Sequence, residues 1–249
     1  MKEELICGPH AVLAALKAHA DEIDGLWVSN ERQDPRVNAV LDAARETNIK
    51  IHRAPRAALD RMSDGVPHQG VIARRFAAPR PIHEDLGEFI ASISGKPLIL
   101  VLDGVQDPHN LGACLRVADA AGAQAVVVPR DRAAPLSPVA RRAAAGAAET
   151  MPLFQVTNLA RALDELKEAG LWVIGTAADG EQSVFQADLK GPVALVLGGE
   201  GDGMRRLTRE RCDLLVSIPM GGTVESLNVS VASGICLFEA VRQRLPTSK

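Results

Sequence analysis

Five short segments in the last two-thirds of this 249-residue chain are apolar almost without interruption. They are Leu98–Leu102 (LILVL), Ala125–Pro129 (AVVVP), Leu171–Thr176 (LWVIGT), Val193–Leu197 (VALVL) and Leu214–Ile218 (LLVSI). A strand with one face in water alternates apolar and polar residues; a run without alternation is covered on both faces. Helical spacing between these runs, near 110–122, 136–148, 158–169 and 226–244, supplies the cover. The pattern predicts a parallel α/β sheet.

The N-terminal part reads differently. Apolar spacing predicts helices at Pro9–Ala20 and Pro35–Asn48, and short strands at Gly25–Ser29, Lys50–His52 and Gly70–Ala73. Residues 1–78 are therefore expected to form a small α/β domain. The proline-bounded, acidic stretch 79–96 is expected to be a linker, and 97–249 the parallel-sheet domain. No apolar run approaches the ~20 residues of a membrane span, and the N-terminus lacks a signal-peptide pattern, so the cytoplasm is the expected location. Cys7, Cys114, Cys212 and Cys236 form no CxxC pair and the six histidines have no ligand spacing. No metal is expected.

Net charge is −3, from 28 basic and 31 acidic residues, and the chain has five Phe, two Trp and no Tyr. Such a chain is neither a bulk polyanion binder nor a single-strand binder stacking many rings. Local charge still permits nucleic-acid contact. Residues 45–61 carry five basic against two acidic side chains, and basic clusters include Arg141 with Arg142 and Arg205 with Arg206.

Three strand ends run into unusual loops. The first is DGVQDPHNLGACLR, 103–116. Asn110 sits where a helix should begin, so its amide either caps that helix or faces a ligand. Arg116 either pairs with Asp119 or reaches a substrate across Gly112 and Ala113. Asp103 and Asp107 suit turns better than an acid/base or magnesium pair. The second, GGEGDGM at 198–204, lets a ligand approach the backbone closely. It has Met204 where a dinucleotide fingerprint needs glycine, and the chain holds no G-x-x-x-x-G-K-[ST]. Glu200 is hard to justify by packing. The third, IPMGGTVESLNVS at 218–230, ends a strand and opens a helix near Ser226, with Ser226, Ser230 and Ser233 at helical spacing. No G-x-S-x-G elbow is present, which disfavours nucleophilic hydrolysis.

Together, DGVQDPHNLGACLRVADAAG, ALVLGGEGDGMRRL and SIPMGGTVESLNVSVASGICLFEAV, in this order and each at a strand end, resemble the SpoU family of ribose 2'-O-methyltransferases in the SPOUT superfamily. GPHAVLAAL and HQGVIA resemble that family's substrate-binding domain, so the likeness covers nearly the whole chain. It implies an α/β fold: a parallel-sheet SPOUT domain with a C-terminal trefoil knot, preceded by a small α/β substrate-binding domain. Neither composition nor periodicity indicates a knot. It further implies S-adenosyl-L-methionine as cofactor, held by Gly198, Ile218 and Leu227 with Gly201 and Met220 beside them. The catalytic set by resemblance is Asn110, Arg116, Glu200, Ser226 and Asn228. Arg141, Arg142, Arg205 and Arg206 are the expected RNA contacts.

Within the family the likeness points to enzymes that methylate a guanosine in the peptidyl-transferase region of 23S ribosomal RNA. The family assigns Arg116 the base role; a guanidinium is a poor base, and a bidentate grip on the neighbouring phosphate is the alternative. The helix from Leu227 to Val241 is apolar on more than one side, with Val231, Ile235 and Phe238 on one and Val229, Cys236 and Ala240 on another. Wide burial of this helix and a homodimer built on it are expected. Three rival readings are an NAD- or nucleotide-dependent enzyme, a non-catalytic RNA-binding module, and the same chemistry on transfer RNA.

Overall fold

The computed structural model describes residues 2–31, 35–77, 85–199, 201 and 203–246. They divide into two compact units, Met1–Pro81 with Leu136–Thr150, and Ile82–Pro135 with Met151–Lys249.

The first unit holds β1 (Lys2–Cys7), α1 (Pro9–His19), β2 (Ile23–Ser29), α2 (Pro35–Glu46), β3 (Ile51–Ala54), α3 (Arg56–Met62) and β4 (Val71–Ala77). Its sheet runs β1-β4-β2-β3, with only β2 and β3 parallel. Ile6, Leu26, Val28 and Ala73 on one sheet face pack with Val12, Leu16, Val40 and Leu41 of α1 and α2. The sequence patterns miss β1, whose KEELIC begins with charged residues, and α3, which is under two turns long.

The segment 136–150 joins this unit, although its sequence lies inside the expected second domain. The expected single helix at 136–148 is in fact two. α4 through α7 follow in chain order as α4 (Leu86–Ser92), α5 (Pro108–Ala120), α6 (Pro138–Ala143) and α7 (Ala147–Thr150). Ala145 and Gly146 break the helix by taking positive φ, 51° and 104°. A Cβ on Gly146 would stand 2.9 Å from that of Ala14 on α1, so the break is also a close approach.

Charge holds this segment in place. Arg75 and Glu149 are each about 1% exposed at the side chain. Glu149 accepts from Arg75 Nη1 and Arg141 Nη1, both at 2.6 Å, and Glu4 faces both arginines. Burial by itself would lower the Arg75 pKa, but Glu149 and Glu4 outweigh it and hold it above the ordinary guanidinium value. Arg75 and Arg141 are thus matched by Glu149, Glu4 and, 3.8 Å from Arg75 Nε, Glu22, which is what makes their burial tolerable.

The second unit is a seven-stranded, wholly parallel sheet, β7-β6-β5-β10-β8-β11-β9. Its strands are β5 (Leu98–Asp103), β6 (Ala125–Pro129), β7 (Leu153–Val156), β8 (Trp172–Thr176), β9 (Gln182–Ser183), β10 (Val193–Gly198) and β11 (Leu214–Ser217). All five predicted runs are strands; β7 and β9, at the sheet's two edges, are too short to stand out. The helices are α4, α5, α8 (Leu159–Glu168), α9 (Arg206–Arg211) and α10 (Val229–Arg244).

Ile99, Val101, Val127 and Val196 pack on one face with Leu86 and Ile90 of α4 and Leu163 and Leu166 of α8. Strand alternation sends Leu100, Leu102, Leu195 and Leu197, all buried, to the face that α5 and α10 cover. The expected linker is therefore only partly an open connection. Residues 79–84 lie outside the described ones, but 86–92 form α4, capped by Asp85 and packed in this core.

Cys7, Cys114 and Cys236 are buried and Cys212 is half-buried, all as free thiols. Burial pushes Cys7 up to about 11 and Cys212 and Cys236 to about 12, so they act as small core residues. Among the described residues, no group of metal-ligating side chains converges, and no helix is long and apolar enough to cross a membrane.

Replacing Glu149 by Gln leaves two buried guanidiniums facing only Glu4 and the more distant Glu22. Urea unfolding should show a loss of about 3 kcal/mol, against under about 0.5 kcal/mol for Glu165→Gln in the exposed pair with Arg161. Equal effects of the two changes would contradict this account of the first unit.

Candidate functional site

Sheet order places the site before any side chain is considered. From β5 the chain moves to β6 and β7 on one side, while β10 and β8 lie on the other. The C-terminal ends of β5 and β10 therefore flank a topological switch point, where open α/β sheets bind ligands.

The loops leaving these two strands touch. Gly199 N–H donates to Asp103 C=O at 2.8 Å, and a Cβ on Gly199 would stand 2.2 Å from Gly104 O. A Cβ on Gly198 would meet Gly203 C at 2.1 Å, where the loop curls back to a Gly199–Gly203 bridge. Neither position admits any other residue. Asp103, about 1% exposed, accepts from Arg205 N–H at 2.8 Å and from Arg205 Nε at 2.6 Å. Asp103 is thus a buried anchor for the glycine loop. Asp107 caps α5 by accepting from His109 N–H at 2.8 Å, with Pro108 in the first turn.

That cap leaves Asn110 inside α5. Its Oδ1 accepts from Asn228 Nδ2 at 2.9 Å. Asn228 in turn is the cap of α10, its Oδ1 accepting from Ser230 N–H at 2.9 Å. The helix thus opens at Val229, later than the expected start near Ser226, because Asn228 supplies the capping oxygen. Below this link α5 and α10 pack closely: Ser233, fully buried, lies 3.6 Å from Cys114, and Gly234 faces Val117. Small residues at 230, 233 and 234 allow that approach.

Between the loops lies a cleft of about 360 Å³, within the range of small-molecule sites. Gly198, Gly201, Ser226 and Leu227 line it, with Leu197, Met204, Val229 and Ala232 as apolar wall. Ile218 is half-buried and Met220 exposed, and neither lines this cleft. Gly201 has φ 92° with open space where a Cβ would stand. Backbone groups and apolar walls suit a nucleoside-bearing ligand such as S-adenosylmethionine. A second, open depression beside it is lined by Gly104, Gln106, Asp107 and Asn110.

Sequence reasoning missed the two charged residues that line the cleft, Asp179 and Arg209. Asp179, in the loop after β8, accepts from Arg209 Nη1 and Nη2 of α9 at 2.9 and 2.7 Å. Hydrogen bonding from Arg209 holds the Asp179 carboxyl below the usual carboxylate range. The available signal was position: the loop leaves a strand at the same sheet edge as the three that stood out.

Arg116 is exposed on α5 and has no hydrogen-bond or ion-pair partner among the described residues, so the expected alternative of a pair with Asp119 is not formed. Glu200 lies outside the described residues. Of the expected RNA contacts, Arg206 is exposed and paired only with Glu210, its i+4 neighbour. Arg205 is tied to Asp103. Arg141 belongs to the first unit, where Glu4 and Glu149 engage it in the interior; that burial removes it from the set of accessible cations. Arg142, beside it, is half-buried.

Comparison with known proteins agrees with this geometry. The family model described as the SpoU rRNA Methylase family matches residues 97–238, and that described as RNA 2'-O ribose methyltransferase substrate binding matches 5–81. The 23S rRNA (guanosine-2'-O-)-methyltransferase RlmB of Pseudomonas putida is 54% identical over 243 residues, covering 97% of both chains. Its Haemophilus influenzae counterpart is 53% identical over 97% of this chain and 98% of its own. Among solved structures, an RNA 2'-O ribose methyltransferase superposes with TM-score 0.82 at 31% identity, over 97% of this chain and 89% of the other. The SpoU methyltransferase AviRb from Streptomyces viridochromogenes, in complex with AdoMet, gives 0.78 at 27% identity, over 97% and 90%.

Gly199→Ala would push a methyl group into Gly104 O and force the two loops apart. Calorimetric titration should show S-adenosylmethionine affinity falling by about tenfold or more, or 1.4 kcal/mol. Wild-type affinity in that variant would disprove the close approach.

Proposed function

The chain belongs to the SpoU rRNA methylase family, and from that premise we propose that it methylates the ribose 2'-hydroxyl of a guanosine in 23S ribosomal RNA, in the peptidyl-transferase region. The RlmB relatives, matched over nearly their full length, support that substrate over transfer RNA. The observation that carries the reading within the molecule is the Asn110–Asn228 hydrogen bond. It locks the helix bearing Arg116 to the loop that closes the glycine cleft.

When bound, S-adenosylmethionine supplies an electrophilic methyl group on sulfur. The cleft residues Gly198, Gly201 and Leu227 would hold it by backbone and apolar contact, with Ile218 and Met220 contributing from the adjoining loop. The protein's own work is orientation and proton handling. Asn228 fixes the first turn of α10 against the first turn of α5, so the two loops keep one spacing. Ser226 contributes a hydroxyl at the cleft, and the family likeness adds Glu200 to the catalytic set. Arg116, exposed and without a described partner, offers a guanidinium fork to the phosphate next to the target ribose. That grip sets the hydroxyl's position, and its positive charge stabilises the negative charge that develops on the oxygen as its proton passes to solvent water. Arg142, Arg205 and Arg206 are weaker candidates for the rest of the RNA contact.

The reading includes the C-terminal knot implied by the family likeness. Its support is that connections 176–179, 198–204 and 226–229 all meet at one cleft. It also includes a homodimer. Val229, Cys236, Leu237 and Ala240 bury one side of α10, but Val231 and Phe238 remain 51% and 48% exposed, seven residues apart. Wide burial of α10 is thus not achieved within one chain, and a second copy would cover this stripe. A cytoplasmic location follows from a ribosomal RNA substrate.

Mapping 2'-O-methyl groups on 23S ribosomal RNA, with and without the protein, should reveal one added guanosine methyl. Arg116→Ala should abolish it while S-adenosylmethionine binding stays near wild type; normal turnover would sink the assignment. Light scattering should report a dimer that Phe238→Glu converts to monomer, and a monomeric wild-type protein at micromolar concentration would exclude the dimer.

A further inference from the structure

The four-stranded sheet of the first unit has two unlike faces. α1 and α2 cover one of them fully. On the other, α3 covers only part, with Leu59 over Cys7 and Ile72. Beyond α3 that face carries Trp27 on β2, His52 on β3, and Arg74 and Phe76 on β4, all half-buried.

These four side chains form a ladder. The rings of Trp27 and His52 stack with centroids 4.9 Å apart and planes 11° from parallel. Arg74 Cζ stands 5.0 Å from the Trp27 ring centre and 5.4 Å from that of Phe76. Gly25 makes room for it: a Cβ there would meet the Trp27 ring at 2.8 Å. Asp24 accepts from Arg74 Nη2 at 2.6 Å and from Nε at 3.0 Å, which fixes the guanidinium plane. Strand register sets Trp27 beside His52, and β3 is the edge of the sheet. The ladder therefore stops at half-exposed His52, with no strand beyond to continue it. Exposed Lys50, two residues before His52, flanks this end.

A run of π planes and a guanidinium ending at an open edge, with a lysine beside it, is the chemistry that seats an unstacked nucleobase and its phosphate. We infer that His52 is the landing face for one unpaired base of the RNA substrate, with Trp27, Arg74 and Phe76 as its rigid backing. The inference rests on the proposed action on RNA, and on the match of residues 5–81 to a substrate-binding family. It assigns that segment a stacking site, and so explains how a chain with few aromatic residues recognises RNA: one preassembled ladder replaces many separate rings.

The test uses the full-length protein and a single-stranded oligoribonucleotide containing 2-aminopurine, whose emission falls on stacking. The wild type should quench it saturably. His52→Thr, which puts a strand-favouring β-branched residue on the edge strand, should weaken binding by about ten- to a hundredfold. His52→Phe should restore it. With 23S ribosomal RNA, His52→Thr should raise KM while leaving kcat at saturating RNA and S-adenosylmethionine affinity unchanged. Absence of quenching by the wild type, or equal affinity of His52→Thr and wild type, overturns the inference. If His52→Thr lowers the melting temperature, the wild-type quenching and the His52→Phe result still decide. Quenching without any methylation of ribosomal RNA would refute the proposed function and leave the stacking site standing; methylation with an unchanged KM in His52→Thr would do the reverse.

Discussion

Asp103 sits at the end of β5 with almost no exposure, and three hydrogen bonds converge on it. Its carboxylate accepts from the backbone and the side chain of Arg205, and its carbonyl accepts from Gly199. These partners are the two ends of the glycine loop. A loop with four glycines among residues 198–203 would otherwise sample many conformations, because glycine loses more backbone entropy on ordering than any other residue. Anchoring both ends on one buried, charge-assisted acceptor removes most of that freedom before a ligand arrives. The cleft, its floor at Gly198 and its approach to Gly104 all depend on this arrangement.

Two neutralised charge systems bind distant parts of the sequence. In the second unit the pair is Asp103 and Arg205, 102 residues apart; in the first it is Arg75, Arg141, Glu4 and Glu149. Asp103, Arg75, Arg141 and Glu149 are buried enough that losing the partner strands their charge in low dielectric. Arginines are therefore poor guides to RNA contact in this protein. The cluster Arg141–Arg142 looks, in sequence, like a basic patch near an active loop. In the fold, one of the two arginines balances carboxylates in the interior.

Much of the architecture was legible because its signals are local. The five apolar runs became strands β5, β6, β8, β10 and β11, since uninterrupted β-branched and Leu residues have few other stable outcomes. The glycine loop and the Asn228 region stood out because local periodicity gives strand ends no reason to carry such residues, although in the fold close backbone approach requires glycine at 198 and 199. Other features were illegible for equally physical reasons. α3 is too short to show a period, β1 opens on charged residues, and the break at Ala145–Gly146 depends on α1 lying against it. The Asp179–Arg209 pair gave no signal beyond position at the sheet edge, because one member sits in an ordinary DG turn and the other in a helix of mixed charge.

Residue order alone determined the fold class, the parallel sheet, the three loops at its C-terminal edge and the family they belong to. These follow from periodicities of two and 3.6 residues and from motifs contiguous in the chain. Only the tertiary structure decided which polar residues remain available for chemistry. Asn110, equally suited to cap a helix or to face a ligand, is neither the cap of α5 nor isolated, because Asn228 from 118 positions away meets it. Arg116 is left exposed while Arg141 and Arg205 are engaged by carboxylates. The stacked ladder on the first sheet exists only because β-pairing brings 27, 52 and 74 together. Contacts of that range carry no imprint in local sequence, since each partner is an ordinary residue until the fold places another beside it.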